Sequence, residues 1–256
     1  RKAEILAFLR EAQAGQERAS TPLARAGAGD LPLSFAQERL WVQDRLGITG
    51  TAYHLPINLV LDGPLDPDAL IGALGDVVAR HEPLRTTFSP GDRRPVQVIH
   101  PTVRVDCPIE QVAGANDAER EAAARTIALD ETRRPFDLAA GPVFRLRLLK
   151  IHETRHVLVL VIHHIAFDGW SMGILLDELK AGYAARIEGR APAPAPLARR
   201  YADWAVWQRD RLEGGESERL LARWTRRLAG LPRTELPLDR PRPATQTLAA
   251  DTVVAD

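Results

Sequence analysis

The chain has 256 residues, with 34 Lys and Arg set against 34 Asp and Glu, a formal net charge of zero and 45% apolar residues; this suits one large domain, or one domain plus part of another, and excludes wholesale disorder. Neutrality argues against a nucleic-acid binder or a polybasic membrane-surface protein, and the single cysteine, Cys107, excludes an intramolecular disulfide framework and a cysteine-based zinc site. No apolar run reaches the roughly 18 residues of a membrane span and no basic-then-apolar leader opens the chain, so a soluble, cytoplasmic protein is expected, and the start at Arg1 and stop at Asp256 read as a piece of a longer chain.

Residues 1–14 place Ile5, Leu6, Phe8 and Leu9 near helical spacing, and the small, polar stretch 15–30 reads as a linker. Ser34 is placed to cap a helix carrying Leu40, Trp41, Val42 and Leu46. The segment 53–63 reads as a strand ending in a turn. Asp66 precedes a helix with Leu70, Leu74, Val77 and Val78 on one side. Segments 84–89, 96–100 and 103–107 are short strand candidates, followed by a polar, Ala-rich helix at about 116–132. Segment 142–151 alternates apolar and basic residues, as a strand with one wet face should. Segment 155–164 is almost wholly apolar and reads as a central strand buried on both faces.

After Trp170 a helix carries Ile174, Leu175, Leu176 and Leu179. The Pro/Ala-rich stretch 188–200 is a stiff crossover, and two helices follow near 201–212 and 216–229. Strands and helices interleave, so the fold class is α/β or α+β, built in two layers around a mixed sheet. A boundary is expected near 188–197.

The segment HHIAFDGWS (163–171) concentrates two histidines, an acid, a glycine and a hydroxyl just after the most apolar strand. Neighbouring strand residues point to opposite faces, so one of His163 and His164 anchors in the fold while the other faces a cavity. A histidine titrates near neutral pH and suits proton transfer or hydrogen bonding. Asp168 can lock the following turn, and Gly169 lets a ligand approach closely. The plainer reading is a pair of satisfied core histidines before a loop. A metal site wants three converging ligands, and these diverge. Residues 169–173 match the G-x-S-x-G pattern of a serine hydrolase with Ser171 as nucleophile. That reaction needs a later histidine, and all seven histidines precede Ser171. In segment 79–88, Pro83 ends a helix, and Arg85 opens a strand where its forked charge could serve a buried acid. Arg80 and Glu82 read as a solvated helix end.

Four segments, SFAQERLW (34–41), RHEPLRTTF (80–88), HHIAFDGWS (163–171) and YADWAVWQR (201–209), together resemble, in order and spacing, the early motifs of condensation domains from nonribosomal peptide synthetases. The strand and helix over 53–70 and the LPLDRPRP stretch (236–243) also fit, so the likeness covers about residues 31–256. It implies two lobes similar to chloramphenicol acetyltransferase, arranged around a tunnel. Residues 31–188 would form the N-terminal lobe and 189–256 the crossover and first helices of an incomplete second lobe, leaving this piece inactive alone.

The resemblance further implies amide-bond formation between an upstream acyl or peptidyl thioester and a downstream aminoacyl thioester. Both substrates would hang from the phosphopantetheine arms of donor and acceptor peptidyl carrier domains, and the domain itself would bind no cofactor. On this likeness His164 carries the chemistry, His163 and Asp168 are structural supports, Gly169 is a backbone contact near the reacting centre, and Arg85 partners Asp168. Heterocyclising relatives carry Asp in place of the first histidine; this chain keeps both and looks like the amide-forming type with an L-configured donor. The helix at 1–14 resembles the tail of a docking domain, which would bring the donor from a separate upstream polypeptide; a generic amphipathic leader helix is the other reading. Alternatives to catalysis by His164 are a non-catalytic module that docks carrier domains and a serine hydrolase using Ser171.

Overall fold

The computed structural model describes residues 31–192, 194–232, 237–238 and 240–241. The 1–14 helix, the 15–30 linker and most of the LPLDRPRP stretch lie outside the described residues. In chain order the elements are β1 (Leu31–Pro32), α1 (Phe35–Arg45), β2 (His54–Asp62), α2 (Pro67–Arg80), a 3-10 turn (Glu82–Arg85), β3 (Thr86–Ser89), β4 (Val96–Ile99), β5 (Ile109–Gln111), α3 (Asp117–Arg133), β6 (Phe144–His152), β7 (Arg155–His163), α4 (Gly169–Ile187), α5 (Tyr201–Arg211), a π-turn (Leu212–Glu216) and α6 (Ser217–Leu228).

Side-chain caps set the starts of the first four helices. Ser34 Oγ accepts the Gln37 amide at 3.2 Å, and Gln37 Oε1 accepts the Ser34 amide at 3.0 Å, a reciprocal box that opens α1. Asp66 accepts from the Ala69 amide ahead of α2, Asn116 from the Glu119 amide ahead of α3, and Asp168 from the Ser171 amide ahead of α4.

Among the described residues two sheets form. The larger has the order β2-β7-β6-β5, antiparallel except that β5 runs parallel to β6; the smaller has the order β1-β4-β3. Helices cover both faces of the larger sheet. Leu158, Leu160 and Ile162 of β7 pack with Leu70, Leu74 and Val77 of α2 and with Leu175 and Leu179 of α4. Val159 and Val161 pack on the other side against Ala124 and Ala128 of α3. Helices α2 and α4 cross closely, where a Cβ at Gly182 would come within 3.2 Å of Ala73 Cβ.

Three local expectations change. Residues 103–107 form no strand; Val103 and Val105 pack, partly buried, against the cluster that holds Leu158 and Leu160, but the backbone joins the sheet only at Ile109–Gln111. Alternating burial is shared by a paired strand and by a chain laid over a sheet edge, so the pattern alone does not separate them. Arg85 closes the 3-10 turn instead of opening a strand, since Pro83 sits early in that turn and pairing begins at Thr86. The basic side of β6 is only partly wet: Arg145 and Arg147 meet Glu131 of α3, a carboxylate 5% exposed.

Between α4 and Tyr201 the described residues form no regular element. Helix α5 packs back on β1, whereas α6 has no buried residue. No helix among the described residues is long and apolar enough to cross a membrane.

Candidate active site

The alternation along β7 decides the histidines. His163 shares the α3 side with Val159 and Val161 and is 2% exposed. Its Nδ1 accepts the Ile165 amide at 3.1 Å, so the proton of the neutral ring sits on Nε2. His54 lies opposite it in register, with the two ring centroids 5.9 Å apart, and Phe136 stands edge-on to both. His54 donates from Nδ1 to the Thr132 carbonyl at 2.7 Å. Burial, with His54 and His164 close by, pushes the His163 pKa down to about 4. Burial also lowers that of His54, despite the bond to Thr132. His163 is thus buried and neutral.

His164 continues the chain one residue past the strand, and its side chain faces the opposite way. Its amide donates to the Tyr53 carbonyl at 2.8 Å, extending the β2–β7 ladder. The ring lines a cavity of about 460 Å³ with apolar walls from Leu40, Val77, Leu84, Phe167 and Leu175, and with Arg39, His81, Asp168, Ser171 and Tyr201 as its polar edge. No hydrogen bond to the His164 ring forms among the described residues.

Asp168 caps α4. Its Oδ1 accepts the Ser171 amide at 2.9 Å and the Ser171 hydroxyl at 2.7 Å. The Ser171 hydroxyl, then its amide, hold the Asp168 carboxyl below its usual range, with a smaller contribution from His164. The expected Asp168–Arg85 pair does not form. The 3-10 turn sends the Arg85 guanidinium to backbone carbonyls, Nε to Ala79 at 3.2 Å and Nη1 to His100, with Glu82 at 3.7 Å. Arg80 and Glu82 are not a solvated helix end either: Arg80 Nε donates to Glu178 at 2.9 Å, and Glu82 accepts from Arg200 at 3.3 Å.

Ser171 spends its hydroxyl on Asp168 and bonds no histidine among the described residues, so the hydrolase geometry does not form. Gly169 opens α4 beside Asp168 without lining the cavity, and a Cβ added there would meet no protein atom within 4 Å. Among the described residues no group of three His, Cys, Asp or Glu could hold a metal ion.

Several residues not singled out from the sequence complete the site. Gln37 Nε2 donates to the Ile165 carbonyl at 3.4 Å, holding the loop just after His164. The Tyr201 hydroxyl lies 2.9 Å from Ser34 Oγ. His81 Nε2 stands 2.6 Å from Glu178 on α4. Trp170 is 85% exposed at the cavity rim. Gln208 accepts the Phe35 amide at 3.0 Å, and Arg209 donates to the Leu33 carbonyl at 2.9 Å while its guanidinium lies 4.0 Å over the Phe35 ring. All of these lie inside or beside the four motif segments or, as Glu178, on the helix that follows the third. What the sequence alone withholds is which way each side chain points.

The Condensation domain family model matches residues 28–256. Among curated proteins the chain is 44% identical over 227 residues to a linear gramicidin synthase of Brevibacillus parabrevis, covering 88% of this chain and 3% of that protein. It is 40% identical over 247 residues to the chondramide synthase cmdD of Chondromyces crocatus, covering 95% of this chain and 6% of that protein. Among solved structures it resembles the X-domain from teicoplanin biosynthesis, with 39% identity, a TM-score of 0.70, and 86% of this chain and 48% of that one covered. The starter condensation domain of the rhizomide synthetase RzmA shares the fold at 23% identity and a TM-score of 0.71, over 80% of this chain and 49% of that one. The chain therefore spans about half the length of these solved relatives and a few per cent of the curated ones.

Proposed function

The chain belongs to the condensation-domain family of nonribosomal peptide synthetases, and on that footing we propose that it works in amide-bond formation between an upstream acyl or peptidyl thioester and a downstream aminoacyl thioester. The supporting observation is the division of labour between adjacent histidines: His163 is buried and held neutral, whereas the His164 ring makes no hydrogen bond among the described residues and stands in a cavity bordered by all four motif segments. The carrier-borne substrates would be presented on phosphopantetheine arms, so the domain itself needs no cofactor. Residues 31–188 act as the N-terminal lobe, with 189–256 leading into the second.

The acceptor amine attacks the thioester carbonyl, forming the C–N bond. His164 takes a proton from that nitrogen as the tetrahedral intermediate develops. Collapse breaks the C–S bond, and the proton passes to the departing thiolate. Proton transfer of this kind contributes about 10²–10⁴-fold. Asp168 acts through the helix it caps, and Gly169 acts as a backbone contact beside it. Retention of both histidines, rather than Asp at the first, supports an amide-forming over a heterocyclising type, and the residues around the motif resemble those of the type with an L-configured donor.

The test is an amide-formation assay on the complete domain with loaded donor and acceptor carrier domains. His164→Ala should fold like the parent and lose about 10²–10⁴-fold in product formation. Carrier binding without product from the parent would favour the docking-module reading.

A further inference from the structure

We propose that Tyr53 is the positioning residue for His164, holding the imidazole from behind in the orientation the chemistry uses. This rests on His164 as the reacting group. A catalytic histidine is ordinarily oriented by a hydrogen bond to its second ring nitrogen, which also fixes its tautomer. Among the described residues that bond is missing. The nearest carboxylate in the motif, Asp168, is committed to Ser171. Something else must restrict the ring, because a misplacement of about 1 Å can cost on the order of 10²-fold in rate.

Tyr53 makes two independent contacts with His164. Its carbonyl accepts the His164 amide at 2.8 Å, which fixes the backbone. Its ring meets the imidazole edge to face, with centroids 6.2 Å apart and planes at 75°. That geometry falls in the range of about 4.5–7 Å preferred by aromatic pairs. Tyr53 does not line the cavity, so it touches the imidazole without occupying substrate space. The phenol is itself anchored: its hydroxyl donates to Gln43 on α1 at 3.1 Å, and the ring packs on the cluster around Leu33, Leu40 and Ile165. The imidazole thereby takes its orientation from the scaffold through a ring contact instead of a carboxylate.

Side-chain substitution leaves the carbonyl bond in place and isolates the ring contact. In the complete synthetase module with loaded carrier domains, Tyr53→Phe keeps the ring and should stay within about threefold of the parent in kcat. Tyr53→Leu should lose about 10- to 100-fold in kcat, with KM for each carrier substrate and the melting temperature close to the parent's. Tyr53→Met, which fills similar space without a ring edge, should match Tyr53→Leu. Parent-like kcat in either aliphatic variant overturns the proposal. So does a loss in Tyr53→Phe equal to that in Tyr53→Leu, or unfolding of both aliphatic variants, since each makes the role one of scaffold stability. His164→Ala in the same assay separates the two levels: if it stays active, the assignment of His164 fails, whereas an inactive His164→Ala beside an unimpaired Tyr53→Leu removes only the role of Tyr53.

Discussion

Ser34 Oγ and the Tyr201 hydroxyl, 167 residues apart in the chain, lie 2.9 Å from one another. Ser34 is fully buried and already accepts the Gln37 amide, so one hydroxyl both caps α1 and ties it to the start of α5. The Tyr201 phenol is pushed up by burial, with the bond to Ser34 opposing the shift. Tyr201→Phe should cost about 0.5–1.5 kcal/mol, a typical hydrogen bond. Ser34→Ala loses the cap as well and should cost about 0.5–2 kcal/mol more. Urea unfolding of the complete domain measures both; equal losses would show that the cap contributes nothing.

Acid should weaken the fold through His163. Its folded pKa is depressed to about 4 from an ordinary 6.5. Between these values the unfolded chain binds a proton that the folded chain refuses. Stability is therefore fully present above about pH 6.5 and is lost as pH falls toward 4. A shift of this size corresponds to about 3 kcal/mol. His163→Asn keeps an acceptor near the Ile165 amide but does not titrate. It should flatten the dependence of the unfolding midpoint on pH in this window, leaving a smaller slope from His54 and His156, whose pKa values are lowered too. An unchanged slope would remove His163 as the source.

Asp168 and Arg85 should behave as independent residues. Asp168→Ala removes a helix cap and should cost about 0.5–2 kcal/mol, well short of the roughly 3–5 kcal/mol of a broken buried ion pair. Asp168→Asn should retain most of that stability. The double variant with Arg85→Ala should equal the sum of the single losses within about 0.5 kcal/mol. A coupling well above that in a double-mutant cycle would restore the pairing that the two side chains do not make here.

Ser171→Ala in the complete domain should keep most of the proposed amide-forming activity, because the hydroxyl serves Asp168. Ser171 should also fail to label with a fluorophosphonate. Covalent modification at this position, abolished by the substitution, would reinstate a nucleophile.

Glu131 is the carboxylate on which the α3 face depends. Arg147 Nε lies 2.8 Å away, Arg134 2.9 Å and Arg145 3.4 Å. Glu131→Ala leaves Arg147 its Glu110 and Arg145 its backbone carbonyls but removes the buried carboxylate they share, and should cost about 1.5–3 kcal/mol. Glu110→Ala removes the exposed partner of Arg147 and should cost less than about 1 kcal/mol. Thermal unfolding of the two variants side by side checks the contrast; similar losses would mean that burial is not what makes Glu131 matter.

Local chemistry made much of this fold readable. Ser34 and Asp66 announce helix starts because capping is a short-range bond. The apolar run 155–164 announced a central strand because both its faces are covered. The opposition of His163 and His164 followed from strand geometry alone. What stayed hidden was set by partners far along the chain. Nothing near Arg85 shows that its guanidinium turns to the His100 carbonyl, and nothing near Arg145 shows that Glu131 waits on α3. Tyr53 read only as a strand residue, since its contact with His164 exists only once β2 and β7 are in register.

The β2–β7 ladder runs without a bulge from His54 opposite His163 to Asp62 opposite Arg155. With a two-residue side-chain period, inserting or deleting one residue inside β7 would swing His164 into the protein interior and turn its neighbour outward. Natural length variation in relatives should therefore collect at the Glu153–Thr154 hairpin turn and avoid residues 155–163. Chimaeric synthetases spliced within β7 will work only when the splice preserves phase, however similar the two parent sequences are.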